Sequence, residues 1–209
     1  MNDFIQRWRT VPVAVAVDVS QGTCQIDPAI RPLRPPGQQP RLFGRAVTAL
    51  CEPPDFGAVL RALDTIMPGD VLVIDAQGNR YTAMIGEILG GQLRRRGAAG
   101  LVCDGAVRDV AALAGWDDLS VFARWITPRG PTGAERGMFN GTALIGGRSV
   151  NPGDLIIGDD DGLCALSAEM VRTLIGPAEQ KLTLEAEWQK SLSSGLSIAQ
   201  TFGLTETQG

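Results

Sequence analysis

Histidine is absent from this chain of 209 residues, and lysine is nearly absent. Without histidine, the chain cannot carry a Ser-His-Asp or Cys-His nucleophile, a His-ligated zinc site or an imidazole general base. The two lysines, Lys181 and Lys190, come late and far from every glycine-rich turn. This excludes a Walker-type phosphate lysine and disfavours a Schiff-base lysine at a strand end. Any catalysis therefore depends on carboxylates, arginines, backbone dipoles or a metal ion.

Long apolar runs are also missing, since no stretch reaches the ~18 residues that a membrane span needs. The N-terminus, MNDFIQRWRT, lacks the basic and apolar regions of a secretion signal, so we expect a cytoplasmic protein. A formal net charge of -4 argues against a nucleic-acid-binding face, whereas the arginines suit a small anionic ligand. The length fits a single domain over residues 1–209.

Cysteine is sparse and scattered. Cys24, Cys51, Cys103 and Cys164 form no C-x-x-C pair, and there is no histidine to complete a metal set. We expect four buried, reduced thiols.

Hydrophobic periodicity predicts alternating strands and helices, which is typical of an α/β protein. The apolar runs predict strands at residues 44–50, 71–74, 98–103 and 155–157. Helical spacing is found at residues 56–67, 85–96, 110–114 and 178–191. Residues 11–19 (VPVAVAVDV) fit either a buried strand or the start of a helix, and the prolines of residues 31–40 predict an extended loop.

A short pattern occurs twice: PGDVLVID at residues 68–75 and PGDLIIGD at residues 152–159. Pro-Gly predicts a tight turn, the apolar run a buried strand, and the last Asp marks the strand's exit. Both a common turn-and-strand unit used twice and a true duplication fit this echo. Either way, it predicts two core strands.

Two segments lack this regularity. Residues 128–141 (PRGPTGAERGMFNG) have no periodicity and predict a long surface loop, of the kind that serves as a lid or an interface arm. From about residue 178 the chain is expected to form a C-terminal helix, followed from Gly195 by a tail rich in Ser, Thr and Gln.

The densest polar cluster, CDGAVRD at residues 103–109, directly follows a predicted strand, where α/β proteins build their sites. Two interpretations fit it. In one, Asp109 only caps the next helix and Arg108 only pairs with Asp104. In the other, Asp109 is a ligand for a hard metal ion and Arg108 clamps an anion beside it.

A second element favours the functional interpretation. Gly86, Glu87, Ile88 and Leu89 lie at the start of a predicted helix, where free backbone N–H groups and the helix dipole attract anions. Glycine at position 86 allows a ligand to approach closely. Together with Arg108 and the carboxylate beside it, this helix start describes a pocket for a small 2-oxo acid chelated to a metal.

These residues belong to an ordered set of motifs that resembles the RraA-like family, which includes the class II 4-hydroxy-4-methyl-2-oxoglutarate / 4-carboxy-4-hydroxy-2-oxoadipate aldolases. The set covers most of the chain: Gly44-Arg45-Ala46-Val47-Thr48, Pro68-Gly69-Asp70, Gly86-Glu87, Arg96-Gly97-x-x-Gly100, Asp104-Gly105-x-x-Arg108-Asp109, Pro152-Gly153-Asp154 and Asp160-Asp161-Gly162. D-G-x-x-R-D alone would be weak, but the full order is specific.

The resemblance implies a swivelling β/β/α fold, with layered sheets and flanking helices, assembled as a homotrimer or homohexamer with sites between subunits. It gives Asp109 the role of ligand to Mg²⁺ or Mn²⁺, and Arg108 that of binding pyruvate and stabilising its enolate. The backbone N–H groups of Ile88 and Leu89 would hold the carboxylate. Glu87 matches an acidic residue near the metal's water shell.

The aldolases also use a glutamate from a neighbouring subunit's C-terminal helix at the metal site. Glu185 is the nearest match, with Glu187 as the alternative. The resemblance therefore implies a lyase that releases pyruvate from a 4-hydroxy-2-oxo dicarboxylic or tricarboxylic acid and that decarboxylates oxaloacetate.

The family offers an alternative, because its non-enzymatic members inhibit a ribonuclease by protein contact and tend to lack the C-terminal helix. The C-terminal helix predicted for this chain therefore favours the enzyme. Three arginines concern the far end of the substrate: Arg124, Arg129 and Arg136 are either ligands for a distal carboxylate or solvated surface residues.

Overall fold

A mixed eight-stranded sheet runs through the computed structural model, which describes residues 2–204. Its strands are β1 (Arg31–Pro32), β2 (Leu42–Leu50), β3 (Asp70–Ile85), β4 (Gly100–Val107), β5 (Ser120–Ile126), β6 (Met138–Phe139), β9 (Leu155–Asp159) and β10 (Gly162–Leu166). Between β6 and β9, a separate hairpin consists of β7 (Ala143–Ile145) and β8 (Arg148–Val150).

The spatial order of the sheet is β1-β5-β4-β3-β2-β9-β10, with β6 paired to β2. Strands β2, β3, β4 and β5 are parallel to one another, while β1, β6, β9 and β10 pair antiparallel with their neighbours. Because parallel strands point the same way, the carboxyl ends of β3 and β4 meet at one edge. The candidate site lies at that edge.

Helices cover the sheet and confirm the expected α/β fold with flanking helices and a C-terminal helix. They are α1 (Asn2–Arg7), α2 (Val13–Val19), α3 (Gly57–Thr65), α4 (Glu87–Arg95), α5 (Val110–Gly115), α6 (Ala168–Thr173), α7 (Ile175–Ser193) and α8 (Ile198–Phe202). The ambiguous residues 11–19 contain helix α2, which begins directly after Pro12, a residue suited to a helix start.

Three buried clusters hold these layers together. In the first, Leu63 of α3, Leu93 of α4 and Leu113 of α5 pack on one face of the sheet. In the second, the β7–β8 hairpin packs on the other face. The third places α2, α6 and α7 over β9 and β10, with Trp8 fully buried and its indole N–H bonded to the Val171 carbonyl at 3.0 Å.

Strand β3 is longer than its sequence pattern predicts. The apolar run ends near Asp75, but the strand continues to Ile85, with register shifts against β4 after Asp75. Gln77 and Gly78 have positive φ angles and interrupt the pattern. We predicted a helix from residue 85, whereas Ile85 pairs with Val107 of β4 and α4 begins at Glu87. Pairing with a neighbouring strand therefore decides the conformation of this segment.

The two Pro-Gly-Asp turns are built alike. Gly69 and Gly153 have φ angles of 85° and 86°, in the left-handed region that glycine favours. The following carboxylates, of Asp70 and Asp154, each accept the N–H of the residue three positions earlier, at 2.9 and 2.8 Å. Both turns lead into the predicted core strands, which flank β2 on its two sides.

The C-terminal region is more structured than expected. The predicted helix at residues 178–191 is observed as the longer α7, and the predicted tail contains α8. Ser197 begins α8 with a capping box, and Phe202 packs on Trp188 of α7 with ring centroids 4.8 Å apart. Residues 205–209 of the predicted tail lie outside the described residues.

The four cysteines are free and buried, as predicted. Burial is the main factor that raises the pKa of the Cys51 thiol to about 12, which makes it unreactive. Within residues 2–204, no helix is both long and apolar enough to cross a membrane.

Candidate active site

Arg108 and Asp109 are presented by the exit of β4, a strand buried along its whole length. The Arg108 N–H donates to the Ile85 carbonyl at 3.1 Å, which ties this exit to the end of β3. Asp109 has a φ of 56° and a ψ of 40°, a left-handed conformation that Asp tolerates better than most residues. This turn leads the chain from the sheet into α5.

The Asp109 side chain crosses to a different helix. Its Oδ2 accepts the backbone N–H of Glu87, the first residue of α4, at 3.0 Å. The backbone carbonyl of Asp109, and not its carboxylate, accepts the N–H groups of Ala112 and Leu113 in α5. The interpretation that this side chain only caps the following helix is therefore wrong.

Gly86 makes this approach possible. A Cβ at that position would lie 2.7 Å from Arg108 Cγ and closer still to Asp109 Oδ2, both shorter than real Cβ contacts. The φ of -149° is open to any residue, so the requirement for glycine comes from space and not from backbone strain. The start of α4 and the exit of β4 are thus in contact.

A cavity of about 340 Å³ opens beside this contact. It is lined by Phe56, Leu60, Ala83, Met84, Ile85, Gly86, Ile88, Leu89, Arg108, Gly130 and Pro131. Of these described residues, only Arg108 carries a charge. Arg108 therefore supplies the positive charge of this cavity wall.

Arg108 also borders a more open depression of about 620 Å³, which includes Glu87 and Asp109. The nearest carboxylate oxygen to the guanidinium is Asp109 Oδ2, 3.6 Å from Nε. The side chains of Arg108 and Asp109 are 39% and 42% exposed, so ligand and solvent can reach both. The arginine lies between an apolar cavity and an acidic depression.

The first turn of α4 faces the cavity. The Asp109 carboxylate accepts the N–H of Glu87. The N–H groups of Ile88 and Leu89 have no acceptor within residues 2–204. Such unpaired groups at a helix start are where anions bind. The structure brings together five of the predicted site residues around Arg108: Gly86, Glu87, Ile88, Leu89 and Asp109.

Arg108 does not pair with Asp104, contrary to the first interpretation of the cluster. The Asp104 carboxylate is instead 2.5 Å from Arg124 Nε and accepts the Gly146 N–H at 2.6 Å. Arg124 Nη1 also donates to Asp27 at 2.7 Å. Because Arg124 is 15% exposed and doubly paired, it is neither a solvated surface residue nor a free ligand for a distal carboxylate.

The other two arginines considered for a distal carboxylate do not line the cavity. Arg136 lies 3.8 Å from Glu52 and 3.9 Å from Asp55. The Arg129 side chain is exposed, while its carbonyl accepts the Ala83 N–H at 2.8 Å.

Glu185 is not among the residues gathered in this chain. It lies on α7, 3.3 Å from Lys181, and that helix packs on α2, α6 and α8. Glu187 is exposed on the same helix. The approach of either glutamate to a neighbouring subunit's site stays a prediction.

The donors at the site suit one kind of metal ion. Within residues 2–204, no group of three or more His, Cys, Asp or Glu side chains could enclose a metal. Asp109 offers one exposed carboxylate, and the exposed Glu87 borders the same depression. Mg²⁺ typically keeps several waters and binds through one or two carboxylates, so the residues fit a hydrated hard cation.

Comparison with known proteins places this arrangement in a family. The model of the RraA-like family, described as Aldolase/RraA, matches residues 13–164. The chain belongs to the RraA-like family. This match includes the Gly86-Glu87 helix start and the Arg108-Asp109 turn.

A curated relative from Halalkalibacterium halodurans is 30% identical over 200 residues, 96% of this chain and 93% of the relative. Its name gives 4-hydroxy-4-methyl-2-oxoglutarate aldolase as a provisional activity. An uncharacterized protein from Pseudomonas syringae pv. tomato shares the fold, with a TM-score of 0.82 at 21% identity over 97% of this chain and 98% of that one. The RNA-processing inhibitor RraA from Thermus matches with a TM-score of 0.66 at 26% identity, over 74% of this RraA-like chain and 92% of its own.

The sequence interpretation of this RraA-like site missed its second wall. Phe56 and Leu60 reach the cavity from the start of α3, and Gly130 and Pro131 from the segment predicted as a loop at residues 128–141. The loop prediction is wrong for Met138–Phe139, which form β6 because they pair with β2. Asp55, two residues before α3, accepts the Gly57 N–H at 2.7 Å with its carboxylate, the contact of an Asx turn. Its contacts with the distant loop leave no local pattern.

Proposed function

We propose that this RraA-like protein is a divalent-metal-dependent class II pyruvate aldolase that cleaves a 4-hydroxy-2-oxo dicarboxylic or tricarboxylic acid and also decarboxylates oxaloacetate. The observation that carries the proposal is the convergence of Arg108, Asp109 and the free N–H groups of Ile88 and Leu89 on one cavity. The provisional aldolase activity in the name of the H. halodurans relative supports it.

Substrate binding follows from the two kinds of donor at the cavity. The N–H groups of Ile88 and Leu89 hold the carboxylate of the 2-oxo acid, helped by the dipole of α4. The Arg108 guanidinium presents a planar pair of N–H donors to the carboxylate and the 2-oxo oxygen. The apolar wall of the cavity excludes water from the part of the substrate that becomes pyruvate.

Asp109 would hold Mg²⁺ or Mn²⁺ through a carboxylate oxygen, with Glu87 ordering water beside it. When bound, the metal supplies Lewis-acid polarisation of the 2-oxo group. Glu185, or Glu187, of a neighbouring subunit completes this site in a homotrimer or homohexamer. We expect the enzyme to act in the cytoplasm.

In the reaction the C3–C4 bond breaks, and its electron pair moves through C2 to the 2-oxo oxygen, giving the enolate of pyruvate and a carbonyl product. The 4-hydroxyl proton leaves to water in the depression beside Glu87. Arg108 places fixed positive charge where the enolate oxygen develops. Loss of CO₂ from oxaloacetate gives the same enolate, which then takes a proton from water at C3.

The test follows pyruvate release by the purified protein from oxaloacetate and from 4-hydroxy-4-methyl-2-oxoglutarate, with Mg²⁺ or Mn²⁺ and with a chelator. We expect release above the rate without protein from both substrates with metal, and no such excess with the chelator. If neither substrate yields pyruvate above the rate without protein, the proposed function is wrong.

The likeness to the Thermus RNA-processing inhibitor favours a second candidate, a regulator that binds a ribonuclease. That match covers 74% of this chain, whereas the aldolase relative covers 96%. Inhibition of a ribonuclease by the purified protein, unaffected by Arg108→Ala, would support the regulator.

A further inference from the structure

We infer that Asp55 is a positioning residue for Arg108, acting through the loop that forms the second wall of the cavity. This inference rests on the proposed function. The loop segment at residues 128–137 is here called the site loop. It is held at both ends, and Asp55 holds the end farther from Arg108.

The Asp55 carboxylate binds the site loop through the backbone. It accepts the N–H groups of Glu135 and Arg136, both at 3.1 Å, besides that of Gly57 at 2.7 Å. Asp55 is 4% exposed. Burial opposes its charge, but the three N–H bonds outweigh that effect and hold the pKa of this carboxyl below its usual value.

Arg61 grips the same peptides from the other side. Its guanidinium donates to the carbonyls of Glu135 at 3.2 Å, Arg136 at 2.8 Å and Gly137 at 2.7 Å. One carboxylate and one guanidinium, both from the region of α3, therefore bind both polar edges of this stretch. These bonds hold residues 135–137 against the start of α3.

The contact is close because side chains are absent where the backbones meet. A Cβ on Gly57 would lie 2.5 Å from the Ala134 carbonyl oxygen, and a Cβ on Gly133 would collide with the Asp55 carboxylate. The Phe56 N–H also donates to the Gly133 carbonyl at 3.0 Å. The site loop is thus seated directly on the segment that carries Asp55.

The other end of the site loop touches Arg108. The backbone carbonyl of Arg129 accepts the Ala83 N–H at 2.8 Å. The next residue, Gly130, lies against the Arg108 guanidinium. A Cβ on Gly130 would be 2.5 Å from Arg108 Nη1 and 3.3 Å from Cζ. Two residues separate Gly130 from Gly133, so a shift of the clamped end reaches Arg108 directly.

Arg108 needs this support. Asp109 Oδ2, at 3.6 Å, is too far from Nε for a normal hydrogen bond and does not fix the guanidinium plane. The backbone of Gly130 supplies the wall that turns the guanidinium toward the cavity. Because misplacement by about 1 Å can cost ~100-fold in rate, a loosened site loop should impair substrate binding and turnover.

The experiment compares Asp55→Asn with Asp159→Asn. The Asp159 carboxylate also binds backbone N–H groups, of Val13 at 2.9 Å and Asp161 at 3.1 Å, but it lies on β9, away from the site loop. Three quantities are measured for each: KM and kcat for oxaloacetate, tryptic cleavage after Arg129 and Arg136, and the rate at which phenylglyoxal modifies Arg108.

For Asp55→Asn we expect roughly a tenfold rise in KM, faster cleavage of the site loop and a changed rate of Arg108 modification. Asp159→Asn should lower thermal stability but change none of these. If Asp55→Asn leaves both the cleavage and the Arg108 modification at wild-type rates, Asp55 does not position Arg108.

Cleavage of the site loop and modification of Arg108 report on Asp55 even if the enzyme is inactive. Cleavage and modification do not require turnover, so an inactive wild type would refute the proposed function while these two still test Asp55. If Asp55→Asn does not fold, Arg61→Ala removes the other half of the grip from a half-buried side chain. It should accelerate tryptic cleavage and alter Arg108 modification in the same way, and wild-type behaviour would overturn the inference.

Discussion

Asp109 Oδ2 accepts the backbone N–H of Glu87 at 3.0 Å, so the proposed metal ligand is bonded to α4, the helix proposed to bind the substrate carboxylate. This bond uses one of the free N–H groups of α4 and leaves those of Ile88 and Leu89 to the cavity. It also stabilises α4, because negative charge near a helix start is favourable. One side chain therefore aligns the two halves of the site.

Asp109→Asn should abolish metal-dependent release of pyruvate while the protein stays folded. Asparagine keeps the volume, and its amide oxygen can still accept the Glu87 N–H, but a hard cation loses its charged ligand in this chain. The measurement is the Mg²⁺ dependence of oxaloacetate decarboxylation together with the Tm. A folded variant with the parent rate would show that Asp109 is only structural.

Arg108→Lys should be nearly as damaging as Arg108→Ala. Lysine keeps the charge but loses the planar fork that binds carboxylate and enolate oxygens together. Losing one preorganised donor costs ~2.7–4 kcal/mol, or about 10²- to 10³-fold in kcat. We expect that loss for both variants, with the metal dependence little changed. If lysine restores most of the rate, the guanidinium acts only as a point charge.

Gly86→Ala should damage the site, whereas Gly91→Ala should not. The added methyl group at position 86 would displace Asp109 and Arg108, whereas at position 91 the nearest atom is Arg95 Nη1 at 3.7 Å. We expect Gly86→Ala to cost about 1–3 kcal/mol in stability and at least roughly tenfold in kcat. Gly91→Ala should be neutral or stabilising, because alanine favours a helix interior. Equal activity of the two variants would contradict the close contact.

Local patterns predicted the first wall of the site. The Arg108-Asp109 turn directly follows a buried apolar run. The helix that begins near Gly86 comes directly before the same run. Both segments could therefore be recognised from their positions beside the predicted strand. Parallel pairing of β3 and β4 then brings the two segments together.

The second wall could not be predicted in this way. Asp55 binds backbone N–H groups 80 and 81 positions away, at Glu135 and Arg136. Any residue other than proline offers such an N–H group, so the loop carries no side-chain signature of its partner. The continuation of β3 to Ile85 was missed for a related reason, because pairing with Val107 outweighs the local preference.

Acid should remove the stabilisation that Asp55 provides. Because its pKa in the folded protein lies below the usual value of 3.8, the charged carboxylate stabilises the fold above that pH. The contribution declines as the pH falls below 3.8 and is lost as the pH passes through the folded pKa. The Tm difference between wild type and Asp55→Asn should therefore be largest near neutral pH and shrink below pH 4. A difference that stays constant down to pH 3 would contradict the charged hydrogen bonds.

Replacing both lysines with arginine should leave turnover nearly unchanged. The Lys181 ammonium lies 3.0 Å from Asp18 and 3.3 Å from Glu185, and hydrogen bonds to these carboxylates raise its pKa. A protonated, paired amine is a poor nucleophile toward a 2-oxo group. The double variant Lys181→Arg, Lys190→Arg keeps the positive charge of both positions but cannot form a Schiff base. Treating the wild type with pyruvate and borohydride should trap no adduct by mass spectrometry, and an adduct on either lysine would replace the metal-dependent mechanism with a covalent one.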